Sequence, residues 1–148
     1  MDGLEAYMKG EDYYLSKEYG KAFEHLNRAI ELDYMRDTAY EFRSVCHEEL
    51  GSLKKAAEDL NSAISLRPND ANLYFQRSNI RSKGKDFQGS VTDLQEAIRL
   101  SKLDNETNEK YRELAQELGH KDHTSMYEAS LHMAKLRIWR ESRRKTET

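Results

Sequence analysis

The chain has 148 residues, a formal net charge of −3, charged residues at 34% and a single proline. That is one domain's length, and the composition suits a solvated helical array better than a sheet protein built on Pro/Gly turns. Apolar runs are only a few residues long, far below the roughly 18 of a membrane span, and Met1-Asp2-Gly3-Leu4-Glu5 lacks the charged-then-apolar plan of a signal peptide. The expectation is a soluble, intracellular, cytoplasmic protein. Its lone Cys46 has no internal disulfide partner, consistent with a reducing compartment.

From the N-terminus onward the sequence predicts helices in pairs. The pattern Ala-x-x-x-Leu-x-x-Ala-Ile-x-Leu occurs at Ala22/Leu26/Ala29/Ile30/Leu32 and again at Ala56/Leu60/Ala63/Ile64/Leu66. It returns at Ser90/Leu94/Ala97/Ile98/Leu100 with one conservative change, at the same 34-residue interval. Small residues fall where paired helices must approach: Gly10, Ser44 and Ser78 on the first helix of each pair, and Ala22, Ala56 and Ser90 on the second. Tyr19, Leu53 and Phe87 open the second helices, and Leu26, Leu60 and Leu94 continue the apolar face.

Turn chemistry separates these segments. Gly51-Ser52 offers Ser52 as the N-cap of a helix from Leu53, Gly84-Lys85-Asp86 offers Asp86, and Arg67-Pro68-Asn69-Asp70 stops one helix and caps the next. Tyr34 and Lys102 stand where Pro68 would recur, so those junctions should be less sharply defined. After Asp104 the strict period fades. Helical spacing continues through Tyr111/Leu114/Ala115/Leu118, stops at Gly119 and resumes from about Thr124 to Arg144.

Self-similarity at this period and spacing resembles the tetratricopeptide repeat family. The resemblance implies an all-α, right-handed α-solenoid: residues 1–104 as three helix hairpins (about 3–36, 37–70 and 71–104), and 105–148 as a degenerate fourth repeat or capping hairpin with a basic tail. The first unit departs from the family pattern. Ala6 stands where a bulky residue is usual and Lys9 where the next units have Arg43 and Arg77, so the first helix is expected to be the loosest.

Catalytic chemistry is not legible. Cys46 and His47 are neighbours, and adjacent helical residues point about 100° apart, so they do not form a nucleophile–base pair. His120-x-x-His123, with Asp122 and His132 as the only further ligands at hand, falls short of the converging set that a metal needs. No phosphate-cradling glycine loop or nucleophile elbow occurs. The expectation is a protein that is not an enzyme, with no cofactor and no metal.

The resemblance places a partner-binding groove on the first helices. Its matching residues are Tyr7, Met8, Glu11, Tyr14 and Leu15; Glu41, Phe42, Val45, Glu48 and Glu49; and Asn72, Phe75, Gln76, Asn79, Ser82 and Lys83. This set is aromatic and, in its first two units, acidic, so it suits a basic segment with an apolar anchor. Family members that hold acidic chaperone tails use a clamp of lysine, asparagine and arginine around the terminal carboxylate. The five matching places here are Tyr7, Glu11, Phe42, Asn72 and Gln76, so such tails are disfavoured.

The C-terminal helix carries two apolar stripes, Tyr127/Leu131/Ala134/Ile138 and, nearly opposite, Met126/Ala129/Met133/Leu136. One stripe closes the end of the array. The other is a candidate second interface, most simply a homodimer contact. Residues 135–148 carry net +4, leaving −7 on residues 1–134, yet basic helix ends are common and nucleic acid and membrane are disfavoured as partners. The sequence thus reads as a non-catalytic interaction module or adaptor. The alternative is a structural subunit that self-associates or docks through its C-terminal helix.

Overall fold

In the computed structural model of the chain, residues 1–107, 113 and 123–147 are described. Among them are seven helices and no strand: α1 (Gly3–Leu15), α2 (Tyr19–Glu31), α3 (Arg36–Glu49), α4 (Leu53–Leu66), α5 (Ala71–Lys83), α6 (Phe87–Thr107) and α7 (His123–Thr146). They fall into two compact units, Met1–Pro68 and Asn69–Thr148. Tyr111, Leu114, Ala115 and Leu118 of the expected helical segment, the break at Gly119 and the pair His120/Asp122 lie outside the described residues.

In the first unit α1 packs on α2, α2 on α3, and α3 on α4. Small side chains let them come close. Gly10 is buried, and a methyl group on it would lie 2.9 Å from the Leu26 side chain. Ser44, 1% exposed, donates its hydroxyl to the Ala56 carbonyl across the α3–α4 contact at 3.0 Å, so a polar atom is satisfied where backbones touch. Ala6, Ala22, Leu26, Ala29, Ala39 and Cys46 form the core, with Phe23, Ile30 and Phe42 against it.

The second unit packs α5 on α6 and α6 on α7. Ser78 and Ser90 are buried at the equivalent close contacts, and Val91, Leu94 and Ala134 form a core joined by Phe75, Leu131 and Ile138. A hydrogen bond between the Ser101 and Thr124 hydroxyls ties the far part of α6 to the start of α7.

Helix ends follow a shared recipe with unusual residues. Met35 has positive φ before α3, and α1, α2, α3 and α5 are each followed, two residues past their ends, by a residue of positive φ, namely Lys17, Asp33, Gly51 and Lys85. The amide after it reaches back to close the last turn, as when the Ser52 N–H donates to the His47 carbonyl at 2.8 Å. Asp70 and Asp86 cap α5 and α6 by accepting from the Asn72 and Gly89 amides. Ser52 holds the N-cap position of α4, but its side chain makes no cap bond, so the expected Ser52 hydroxyl cap is not formed. Lacking a proline near Lys102, α6 runs on to Thr107, whereas α4 stops at Leu66 just before Pro68.

One repeated device went unread in the sequence. Arg43 grips Asp59 and Arg77 grips Asp93, each linking the first helix of a pair to its second. Arg81 adds a second guanidinium to Asp93, and His47 stands 3.5 Å from Asp59. The corresponding places in the first pair hold Lys9, Tyr13 and His25. There Tyr13 stacks on His25 at 5.4 Å, and Lys9 turns instead to Glu5.

Candidate partner-binding surfaces

In the first unit the predicted groove residues of α1 and α3 meet as an aromatic wall. Tyr14 lies parallel to Phe42 with ring centroids 4.6 Å apart, Tyr7 flanks Phe42 at 6.3 Å, and Tyr34 extends the wall at 6.1 Å from Tyr7. These rings line up because Tyr7 and Tyr14 are seven residues apart, two turns of one helix, while Phe42 comes from the neighbouring helix. All three are half-buried, one edge in the core and one outside. Leu15 is 70% exposed beside them.

Carboxylates border the wall. The Tyr7 phenol is pushed up to about 12, first by burial and then by the charges of Glu11, Asp37 and Glu41. Burial also raises the Tyr14 phenol. Both therefore stay neutral hydroxyls at physiological pH. Glu41 does not act as a lone negative charge: Arg67 donates to it at 2.5 Å and also lies 3.4 Å from Asp37. The acidic character expected there rests on Glu11, which acts on Tyr7, and Glu49, which acts on Tyr14, while Glu48 and Val45 are half-buried on α3.

In the second unit Phe75 is half-buried against Tyr127 of α7, with centroids 5.0 Å apart, and belongs to the core around Leu94. Asn79 is exposed, and Lys83 is exposed near the end of α5. Asn79 borders a cavity of about 270 Å³ between α5, α6 and α7, where Ser78, Ser82, Ser90 and Leu94 meet Ala129, Ser130, Met133, Ala134 and Arg137. Residues read in the sequence as two sites are thus brought together: Asn79 of the groove set faces the same space as Ala129 and Met133 of the second-interface set. Ser130 and Arg137 were missed, although their spacing of one helical face with Ala134 was available.

The rest of that stripe points elsewhere. Leu136 is half-buried and borders an apolar surface hollow with His132, Lys135 and Trp139, while Met126 is 41% and Met133 45% exposed. Arg143 stacks over Trp139 at 4.9 Å. Cys46 is fully buried and its thiol is pushed up to about 11 by burial, which keeps it protonated and inert. Among the described residues no three His, Cys, Asp or Glu side chains cluster as a metal site, and no helix is long and apolar enough to cross a membrane.

A tetratricopeptide repeat model matches residues 37–70. The chain is 26% identical over 118 residues to the DnaJ homolog subfamily C member 7 homolog of Dictyostelium discoideum, covering 76% of this chain and 21% of that protein. It is 29% identical over 110 residues to RNA polymerase II-associated protein 3 of Xenopus tropicalis, covering 74% and 17%. The chain therefore spans about a fifth of these relatives' lengths. Among solved structures it superposes on the TPR2B domain of yeast Sti1 in its pHsp70 complex with a TM-score of 0.72, 18% identity and coverage of 91% and 97%. PcrH in complex with the chaperone binding region of PopD gives 0.72, 16% identity and 90% of each chain. The fold is that of the all-α tetratricopeptide solenoids.

Proposed function

Because residues 37–70 match a tetratricopeptide repeat model and the chain takes the fold of tetratricopeptide domains, we propose that it is a non-catalytic protein-interaction module that holds a partner segment on the α1–α3 face of its first unit. The observation that carries this reading is the Tyr7/Phe42/Tyr14 wall, half open and edged by Glu11. Aromatic rings supply apolar area at small entropic penalty and also attract cations, and the nearby carboxylates add negative potential. A basic segment with an apolar anchor matches both properties. The solved relatives in complex with pHsp70 and with the PopD region support a protein partner. Tyr7, Glu11 and Phe42 stand where a tail-binding clamp would place lysine or asparagine, so an acidic chain terminus is not the ligand of this face. We place this activity in the cytoplasm.

The test is selection of peptides from a random display library by the whole chain, followed by titration of the selected peptides against the Glu11→Lys/Glu48→Lys variant. Basic peptides with an aromatic or aliphatic anchor should be selected, and the variant should weaken them and flatten their salt dependence, chiefly through the association rate. Unchanged binding at low salt would remove this face as the site.

A second reading has its own observation: α7 leaves Met126, Met133 and Trp139 41%, 45% and 55% exposed. In that reading α7 docks against a second copy or a larger assembly through side chains whose burial is worth about 1.5–3 kcal/mol each. Light scattering across a concentration series decides it. A mass that stays monomeric, or that Met126→Glu/Met133→Glu leaves unchanged, rejects self-association.

A further inference from the structure

The cavity between α5, α6 and α7 differs in chemistry from the aromatic wall. Among the described residues its lining carries the hydroxyls of Ser78, Ser82, Ser90 and Ser130, apolar surface at Leu94 and Ala134, one charged group, Arg137, and no carboxylate. At about 270 Å³ it is smaller than the roughly 300 Å³ at which small-molecule sites begin, and it suits one or two side chains.

Arg137 is set apart from the arginines of residues 1–107. All seven of those are held by a carboxylate: Arg28 by Glu31, Arg36 by Asp33, Arg43 by Asp59, Arg67 by Glu41, Arg77 and Arg81 by Asp93, and Arg99 by Glu96. Arg137 instead donates one N–H to the Ser82 hydroxyl, with its guanidinium 6.0 Å from the centre of the Phe87 ring. Among the described residues no carboxylate pairs with it. A neutral hydroxyl and an aromatic face orient the planar group without cancelling its charge, and its remaining N–H donors are left for an acceptor.

We propose that this cavity is a second recognition subsite that takes an acidic side chain, Asp or Glu, of a partner peptide, with an adjacent apolar side chain resting on Leu94 and Met133. The carboxylate meets Arg137 in a charge-assisted pair, and the Ser82 and Ser130 hydroxyls and the Asn79 amide complete its hydrogen bonds, the Ser78 hydroxyl being engaged by the Phe75 carbonyl. One guanidinium among neutral groups balances one negative charge, which favours a carboxylate over a phosphate carrying close to two. The subsite is independent of the aromatic wall, and its charge preference is the opposite one.

The test uses the full chain and an array of peptides acetylated and amidated at their ends, so that every charge belongs to a side chain. Retained peptides should include a group with Asp or Glu beside Leu, Met or Ile. Changing that Glu to Gln should lower affinity about tenfold, and the Arg137→Gln chain should bind the Glu and Gln peptides alike. The variant Ala129→Trp, which fills the cavity from an exposed position, should abolish this group's binding with helicity unchanged. Equal affinity for Glu and Gln peptides, a preference that survives Arg137→Gln, binding that survives Ala129→Trp, or phosphoserine outcompeting Glu would each overturn the proposal. Retention of only basic or charge-blind peptides sinks the subsite and leaves the module reading standing, whereas retention of none sinks both.

Discussion

Arg43 meets Asp59 through two parallel hydrogen bonds, Nε to Oδ2 at 2.8 Å and Nη2 to Oδ1 at 2.6 Å, and Arg77 meets Asp93 in the same way at 3.0 and 2.6 Å. The carboxylate side chains are only 7% and 2% exposed. Removing the carboxylate leaves a largely buried guanidinium unpaired, Arg43 keeping only its bond to the Asn27 side chain, which is worse than removing both. Asp59→Ala should destabilise the chain by about 3–5 kcal/mol in urea unfolding, and Asp59→Leu with Arg43→Met by clearly less than Asp59→Leu alone. Additive single and double losses would show the two side chains to be uncoupled.

The same substitution should have opposite signs at two glycines. A methyl at Gly10 comes 2.9 Å from the Leu26 side chain and 3.2 Å from its backbone nitrogen, while a methyl at Gly20 in α2 meets nothing within 4 Å. Gly20→Ala should stabilise by about 0.5–1 kcal/mol through helix propensity. Gly10→Ala should destabilise by about 1–3 kcal/mol as α1 is forced off α2. Thermal unfolding of the pair of variants reads both signs, and a stabilising Gly10→Ala contradicts the close packing.

Helix ends offer a third measurement. Lys17 and Lys85 hold φ of 60° and 63°, a left-handed conformation that Gly51 adopts without a side chain. Lys85→Gly should raise stability by up to about 1 kcal/mol, and Gly51→Ala should lower it by about 1 kcal/mol. Melting temperatures moving the other way would mean that the turn, and not the residue, dictates the backbone.

His47 gives the first unit a pH response. Burial lowers its pKa, with Arg43 and Lys55 acting in the same direction and Asp59 and Glu58 against. The unfolded chain therefore takes up the proton first, so the contribution of neutral His47 is complete above about pH 6.5 and is lost as pH falls from there toward the lower folded value. Unfolding free energy of the wild type should decline over that range more steeply than that of His47→Gln. Parallel curves would remove His47 as the source.

Periodicity made the repeated helix pairs legible, because Ala29, Ala63 and Ala97 can be small and recurrent only where two backbones touch, and each is fully buried. The ion pairs were not legible. Arg43 and Asp59 stand sixteen residues apart among 51 basic and acidic side chains, and a spacing of that length has no helical meaning until the hairpin is closed. The aromatic wall was half visible: Tyr7 and Tyr14 share a face by spacing, whereas the stacking of Phe42 needed the α1–α3 neighbourhood. Arg137 was hidden by its company. In a run of six basic residues it reads as a solvated charge, and only the fold shows that it borders a cavity with Ser82.

Trp139 is the chain's single tryptophan, half exposed beside Arg143 near the end of α7, while the nine tyrosines are spread through both units. Emission excited on the red edge of indole absorption therefore originates from one address. A blue shift on adding a ligand reports dehydration of that stretch of α7. The protein thus carries one built-in reporter, tryptophan colour, for the end of α7 alone.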